Sequence, residues 1–255
     1  MLLRRITQHI KNQNWFAVFI DFVIVVVGVF IGIQVANWNE RINDKKRAEN
    51  YKVRLIEEMT NNRNTLFARQ DSFAQQIEYG LAAMEHSQMP ISDEAAWSII
   101  RDFFQISHVF TITIQRGTYD EIINSGDLAL LEDQNLVNNL SDFYSFSGFS
   151  SIQIIPRYRE NVRRIIPFEL QKYFQTQCYK VTIPDTHELI RCPPPKEHGD
   201  LINLAKTLQS NNELKADLRY MLSYAGVSSN IAGNLNNRAE AILDILSGDK
   251  NVKDK

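Results

Sequence analysis

The residues of this chain that could do chemistry fall into three groups. Arg157, Arg159, Arg163 and Arg164 place four guanidinium groups within eight residues. Such a cluster can clamp an anionic ligand or lipid headgroups, because each guanidinium offers a planar fork of donors. The competing reading is a solvated face paired with Glu160 and Glu169. Tyr119, Asp120, Glu121, Ser125 and Asp127 form the densest polar cluster within a recognisable motif, and Tyr119 and Asp120 are its candidate ligand contacts. The same stretch, Thr118-Tyr-Asp-Glu121, also has the spacing of a capping box, with Thr118 bonding the backbone N–H of Glu121 and Glu121 reaching back. Gly126 would then end that short helix in the left-handed conformation.

The third group is the pair Cys178 and Cys192. Between them the sequence reads as two short extended runs around Pro184-Asp185, with a cysteine at each base. A disulfide closing that loop would stabilise the fold by about 3 kcal/mol in the chain-entropy model and requires an oxidising compartment. Two free buried thiols fit the same spacing. Bonded cysteines are not nucleophiles, which weighs against a Cys–His site built with His187 or His198. The five histidines form no H-x-x-x-H pair, and no acidic cluster has calcium-loop spacing. Phosphate-binding loops, nucleophile elbows and kinase signatures are not found. The chain is therefore expected to be non-enzymatic, with no cofactor, no metal and no catalytic residue assigned.

These residues need elements to position them, and composition says which. Gly and Pro supply only 10 and 7 of 255 residues, which argues long helices and few hairpins. A net charge of −2 weighs against a bulk nucleic-acid binder, and two cysteines exclude a cysteine-rich framework. From Trp15 to Trp38 run 24 residues, with no polar residue between Phe22 and Ile33. That is about 36 Å of helix, enough to span a hydrocarbon core of about 30 Å with some tilt. A tryptophan at each end suits the two interfaces. Asp21, Gly28, Gly32 and Asn39 share a face, and Gly28-x-x-x-Gly32, continued by Ala36, is a spacing that lets two helices approach closely. Asp21, Gly28, Gly32 and Ala36 are thus the candidate helix-association residues. Asp21 either finds a partner there or reaches the headgroups.

Beyond the anchor, Leu55, Met59, Leu66, Phe73, Ile77 and Met84 step by 4, 7, 7, 4 and 7, the seam of a helix packing along a partner. The anchor is expected to continue into this helix and to stop at Met89-Pro90. Ser92 caps the next helix, and Asp133 starts another that buries Leu136, Leu140, Phe143 and Tyr144. Phe110 to Ile114 alternates but is too short to found a sheet. Ser147 to Ser151 is expected to bend or break its helix, Pro167 to kink the following one, and two further helices to lie near 200–209 and 212–246. The organisation that follows is a basic segment 1–14, a transmembrane helix 15–38, a membrane-proximal helix 39–90, a helical bundle 91–248 and a charged tail 249–255. The fold class is all-α, with one disulfide-closed loop.

Three features together resemble a known family, two motifs and the charged helix between them. The anchor ends Ile31-Gly-Ile-Gln-Val-Ala-Asn-Trp-Asn-Glu40, and Thr118-Tyr-Asp-Glu-Ile-Ile-Asn-Ser-Gly126 follows, with Leu128 and Leu130 behind it. Over about the first 145 residues the chain is similar to a family of uncharacterised bacterial single-pass membrane proteins, a domain of unknown function. The resemblance implies the bacterial inner membrane and no activity.

The expected function is a membrane-anchored sensor or protein-interaction module that self-associates. Its partners would be the bilayer, a second copy and an unidentified protein or small molecule, with no nucleic acid. The alternatives are a membrane-associated hydrolase and a membrane-perturbing oligomeric effector. Orientation rests on conflicting signals. Arg4, Arg5 and Lys11 stand without an acid before the anchor, whereas six basic residues follow it between Arg41 and Arg54, interleaved with three acids. The cysteine pair tips the reading toward the periplasm. Alkaline phosphatase fused after Lys255 is accordingly expected to be active, and a thiol-reactive mass tag to add only after reduction. An inactive fusion with two freely labelled thiols would place the domain in the cytoplasm.

Overall fold

The computed structural model describes residues 15–86, 88–150, 155–182, 186–196 and 199–248. The basic segment 1–14, the tail 249–255, the turn at Pro184-Asp185 and Ser151 lie outside the described residues, as do the side chains of residues 148–150. The fold is all-α. Helix α1 (Trp15–His86) runs unbroken for 72 residues, about 108 Å at 1.5 Å per residue. It is followed by α2 (Asp93–Gln105), α3 (Gly117–Ser125), a 3₁₀ turn (Asp127–Leu131) and α4 (Gln134–Ser150). Then come α5 (Arg157–Ile165), α6 (Phe168–Gln177), a hairpin of β1 (Tyr179–Thr182) and β2 (Thr186–Leu189), α7 (Leu201–Ser210) and α8 (Asn212–Ser247).

The first third of α1 is long and apolar enough to cross a membrane, and none of that window is buried. From Tyr51 onward the same helix is the spine of the folded part. Its main partner is α8, which runs antiparallel to it. The pairing is legible in the contacts that a Cβ would make at glycine: Gly80 meets Leu222 of α8, and Gly233 of α8 meets Gln70. Two hydrophobic cores follow one another along this pair. One gathers α2, α5, α6 and α7 around Phe103, Phe104, Tyr158 and Phe174. The other gathers α3, α4 and the end of α8 around Leu55, Leu66, Phe143 and Leu235, nearer the apolar segment of α1.

The buried line on α1 departs in part from the apolar seam read in the sequence. Leu55, Met59, Leu66 and Phe73 are buried as expected, but Ile77 and Met84 are only half-buried. The line continues instead through Tyr79, Gly80 and Ala83. It also contains Glu58, Asn62, Arg69, Ser72 and Gln76, all buried. Residues 55, 62, 69, 76 and 83 repeat every seven positions, yet three of the five are polar. The repeat follows the supercoiled packing of helix on helix, and the polar members serve a different purpose, described below.

Local signals hold at several boundaries. The Ser92 side chain accepts from Ala95 N at 3.2 Å, and Asp133 accepts from Asn135 N at 2.8 Å and from Leu136 N at 3.2 Å. Gly126 ends α3 at φ +74°. Pro167 does more than kink a helix. Ile166 takes an extended conformation (ψ 125°) ahead of it, so α5 ends there and α6 begins after Pro167. Cys178 and Cys192 are bonded, with Cα atoms 5.2 Å apart. The hairpin above them pairs Tyr179 with Leu189 and Val181 with His187. Trp97 Nε1 donates to Cys192 O, and Gln105 Nε2 to Cys178 O, both at 2.8 Å, so α2 holds the base of the loop.

Gly80 lies where α1, α8 and Ile106 converge. A Cβ built there would collide with Ile106 Cδ1 and stand 2.6 Å from Leu222 Cδ2. Helix propensity alone would favour alanine over glycine by about 1 kcal/mol. Overpacking, at about 1–3 kcal/mol, outweighs it. Gly80→Val should therefore lower the unfolding free energy, whereas Gly226→Ala, on α8 with nothing within 4 Å, should leave it unchanged or raise it. Denaturant unfolding of the full chain in detergent reads both.

Candidate functional site

The most elaborated polar arrangement lies where α1 leaves its apolar segment. Arg47, Tyr51, Arg54, Glu58 and Asn62 step by 4, 3, 4 and 4, which keeps them on one face of the helix. Each meets the segment from Gln115 to Asp127. Tyr51 Oη donates to Asp127 Oδ2 at 2.8 Å and lies 3.4 Å from Ser125 Oγ. Arg47 pairs with Asp127 at 3.3 Å and with Asp44 at 2.8 Å. Arg54 pairs with Glu121, and that contact holds the Glu121 carboxyl below its ordinary range. Asn62 bonds Gln115 in both directions, its Nδ2 donating to the carbonyl at 2.8 Å and its Oδ1 accepting from the amide at 2.7 Å.

Glu58 is the centre of this ladder. It is buried, and its carboxylate accepts from Thr118 N at 2.6 Å and from the Tyr144 hydroxyl. Burial first, and then the neighbouring Glu58, pushes the Tyr144 phenol far above its ordinary range. This corrects the capping box. α3 begins at Gly117, its N-cap Arg116 makes no side-chain cap, and Glu121 points to Arg54. The carboxylate that meets the Thr118 amide in the first turn of α3 comes from α1, where it also complements the positive end of the helix. A box would have made α3 self-sufficient. The observed arrangement makes α3 depend on α1.

The two candidate ligand contacts in this motif are both engaged. Tyr119 is buried and stacks on Tyr144 with ring centroids 4.2 Å apart. Asp120 pairs with Arg116 one turn back, at 2.8 Å. The arginine cluster does not converge as a unit. The exposed Arg157 pairs with the buried Asp217 at 3.2 Å, and Arg164 pairs with Glu160 at the surface, so the expected pairing with Glu160 is made by Arg164. Arg159 and Arg163 are half-buried and turn toward the end of α2. Asp21 is half-buried, and a Cβ at Gly28 or Gly32 would meet nothing within 4 Å, so the small-residue face of α1 is open.

Sequence reasoning passed over a second polar region. His108 is buried between Phe110 and Tyr179, stacked on both, with its Nε2 3.1 Å from Gln105 Oε1. Burial, then the charges of Arg163, Arg159 and His187, hold it well below the usual histidine range. A lone histidine beside an aromatic run carries no local signal for this. His86 lies 3.0 Å from Asp102, which also accepts from Arg101 at 2.8 Å. Among the described residues, no group of three or more His, Cys, Asp or Glu side chains could hold a metal ion. The surface has open grooves, one of about 630 Å³ lined by Pro167, Leu170, Gly199, Leu201 and Leu204, another of about 520 Å³ beside Phe67 and Asn236.

A comparison with protein-family models, curated proteins and solved structures finds no match to this chain. The geometry alone bears on function. It forms a junction, a ladder of side chains that fastens the segment 115–127 to α1 just past its apolar segment.

Replacing Glu58 with Leu would leave the Thr118 amide and the Tyr144 hydroxyl without their acceptor, at a cost of about 1–3 kcal/mol each. Glu58→Leu and Tyr144→Phe should be coupled in a double-mutant cycle by about 0.5–3 kcal/mol. Unfolding midpoints of the four proteins give that number. Additive losses would show that the two side chains act separately.

Proposed function

We propose that this chain is a membrane-anchored sensor or protein-interaction module of the bacterial inner membrane, in which α1 is both the anchor and the spine of a periplasmic bundle. The observation that carries this is the continuity of α1. No turn, proline or glycine separates the exposed apolar segment from the ladder at Arg47 to Asn62, so a rotation or shift of one is passed to the other. An enzyme would need a convergent site, and the polar groups at the junction are spent on each other. The disulfide supports an oxidising compartment.

Self-association belongs to the same reading. The residues of α1 that face away from the bundle include Val53, Phe67 and Leu81, all exposed and spaced by multiples of seven. Counted in the same seven-residue frame, Gly32 and Asn39 fall on that line, so the small-residue face of the anchor and the outward face of the spine are on one side of the helix. In a bilayer every copy has the same orientation, which makes a parallel pair along this side the natural association.

Replacing Gly28 and Gly32 together with Ile should reduce association of the anchor in a membrane two-hybrid assay to the level of a non-interacting control. Unchanged association would remove Asp21, Gly28, Gly32 and Ala36 from the interface.

A further inference from the structure

On α5 the four arginines divide into two outer and two inner. The outer two, Arg157 and Arg164, have carboxylate partners in Asp217 and Glu160. The inner two have none among the described residues. Arg159 Nη1 donates to Ser107 O at 3.0 Å, in the turn after α2. Arg163 lies one helical turn further on, its guanidinium carbon 4.5 Å from the centroid of the Phe104 ring. Phe104 is in turn stacked on Phe174, with centroids 4.4 Å apart, so the plate beneath Arg163 is rigid.

The edge of Arg163 is what matters. Its Nε and Nη2 are both shielded from solvent, and neither has a hydrogen-bond partner. These two nitrogens lie along one edge of the planar guanidinium and present parallel N–H bonds within its plane, the fork that matches two oxygens of a carboxylate or phosphate. Ser107, the residue whose carbonyl Arg159 holds, is fully buried, and its Oγ is unpartnered as well. Folded proteins pair buried charges and satisfy buried donors, so an unpartnered fork beside a second guanidinium that has no carboxylate calls for a counter-ion.

The geometry points to a binding site for a small oxyanion, with a carboxylate or phosphate group taken side-on by Nε–H and Nη2–H of Arg163 and flanked by Arg159 and the Ser107 hydroxyl. Burial, reinforced by the like charge of Arg159, already lowers Arg163 to about 10, a penalty that an anion would relieve. His108, adjacent in sequence to Ser107, is held neutral by the same surroundings and adds no competing charge of its own.

The same oxygen chemistry is offered by lipid headgroups and by free anions, and position separates them. Gln76 Nε2 donates to the carbonyls of Ile106 and His108, on either side of Ser107, which sets the site level with Gln76 on α1. Gln76 is 38 residues beyond Trp38, about 57 Å along the helix. With Trp38 at the interface, headgroups of that membrane are out of reach, and the ligand is a soluble anion. The exclusion of headgroups rests on the anchored reading of α1, whereas the fork itself does not.

The test uses the full chain in phosphatidylcholine nanodiscs, titrated calorimetrically with inorganic phosphate and, separately, with succinate. At least one probe should bind at a single site with a Kd of about 1 mM or tighter. Arg163→Lys, which keeps the charge and loses the fork, should weaken that binding at least about tenfold. Arg164→Gln should leave it unchanged. If Arg163→Lys does not fold, judged by circular dichroism and its unfolding midpoint, Arg159→Lys carries the same test with a smaller expected loss. No binding of either probe would overturn the site, and so would equal weakening by Arg164→Gln and Arg163→Lys. Binding confined to discs containing phosphatidylglycerol would overturn it in favour of a headgroup. Failure of the chain to enter discs at all would instead count against the anchor, and phosphate binding by that soluble chain would still support the fork.

Discussion

The fold depends on a strap of extended backbone that has no strand to pair with. Between the end of α2 and the start of α3 the chain runs from Ser107 to Arg116 without helix or ladder, and Phe110 and Ile112 are buried in the core beneath it. Buried amides and carbonyls must find partners, and here side chains supply them. Gln76 takes the carbonyls of Ile106 and His108, Asn62 takes both polar groups of Gln115, and Glu58 takes the amide of Thr118. Three polar residues on one helix thereby do what a neighbouring strand would do in a sheet. This is why α1 carries polar side chains on its buried face.

That requirement also explains what could be read from the sequence and what could not. Ser92, Asp133 and Gly126 act through their own neighbours, and their roles were visible in a window of a few residues. The long helix, the two C-terminal helices and the cysteine-based hairpin followed from apolar length, periodicity and spacing. Thr118 and Glu121 have the local pattern of a capping box, but a tertiary acceptor, Glu58, lies 60 residues away and wins. Nothing near Thr118 in the sequence announces it. Hydrophobic periodicity likewise skips Asn62, Arg69 and Gln76, since a pattern of apolar residues cannot mark a buried polar one. The arginines of α5 read as one cluster because they are close in sequence, while helix geometry turns Arg159 and Arg163 inward and leaves Arg157 and Arg164 outside.

Two regions of the molecule thus have different physical characters. The junction near Tyr51 and Glu58 is well satisfied: Arg47, Tyr51, Arg54, Glu58, Asn62, Glu121, Asp127 and Tyr144 each have a partner of opposite or complementary kind. Around Ser107 and Arg163 the accounting is incomplete, with donors and a hydroxyl left over. In the sensor reading these are the expected properties of a coupling joint and of a receiving end. A joint transmits only if it is stiff, and a receiving end responds only if something is missing from it.

The length of α1 has a mechanical consequence. About 36 Å of apolar helix in a hydrocarbon layer of about 30 Å favours tilt, and tilt changes with the thickness of the layer. In the anchored reading, with the rest of α1 straight and packed to α8, the helix is a lever pivoting at Trp38. A change of about 10° at the bilayer would swing the level of Gln76 sideways by about 10 Å, on an arm of about 57 Å. The same arm works in reverse: a small displacement at the far core becomes a rotation of the helix inside the lipid.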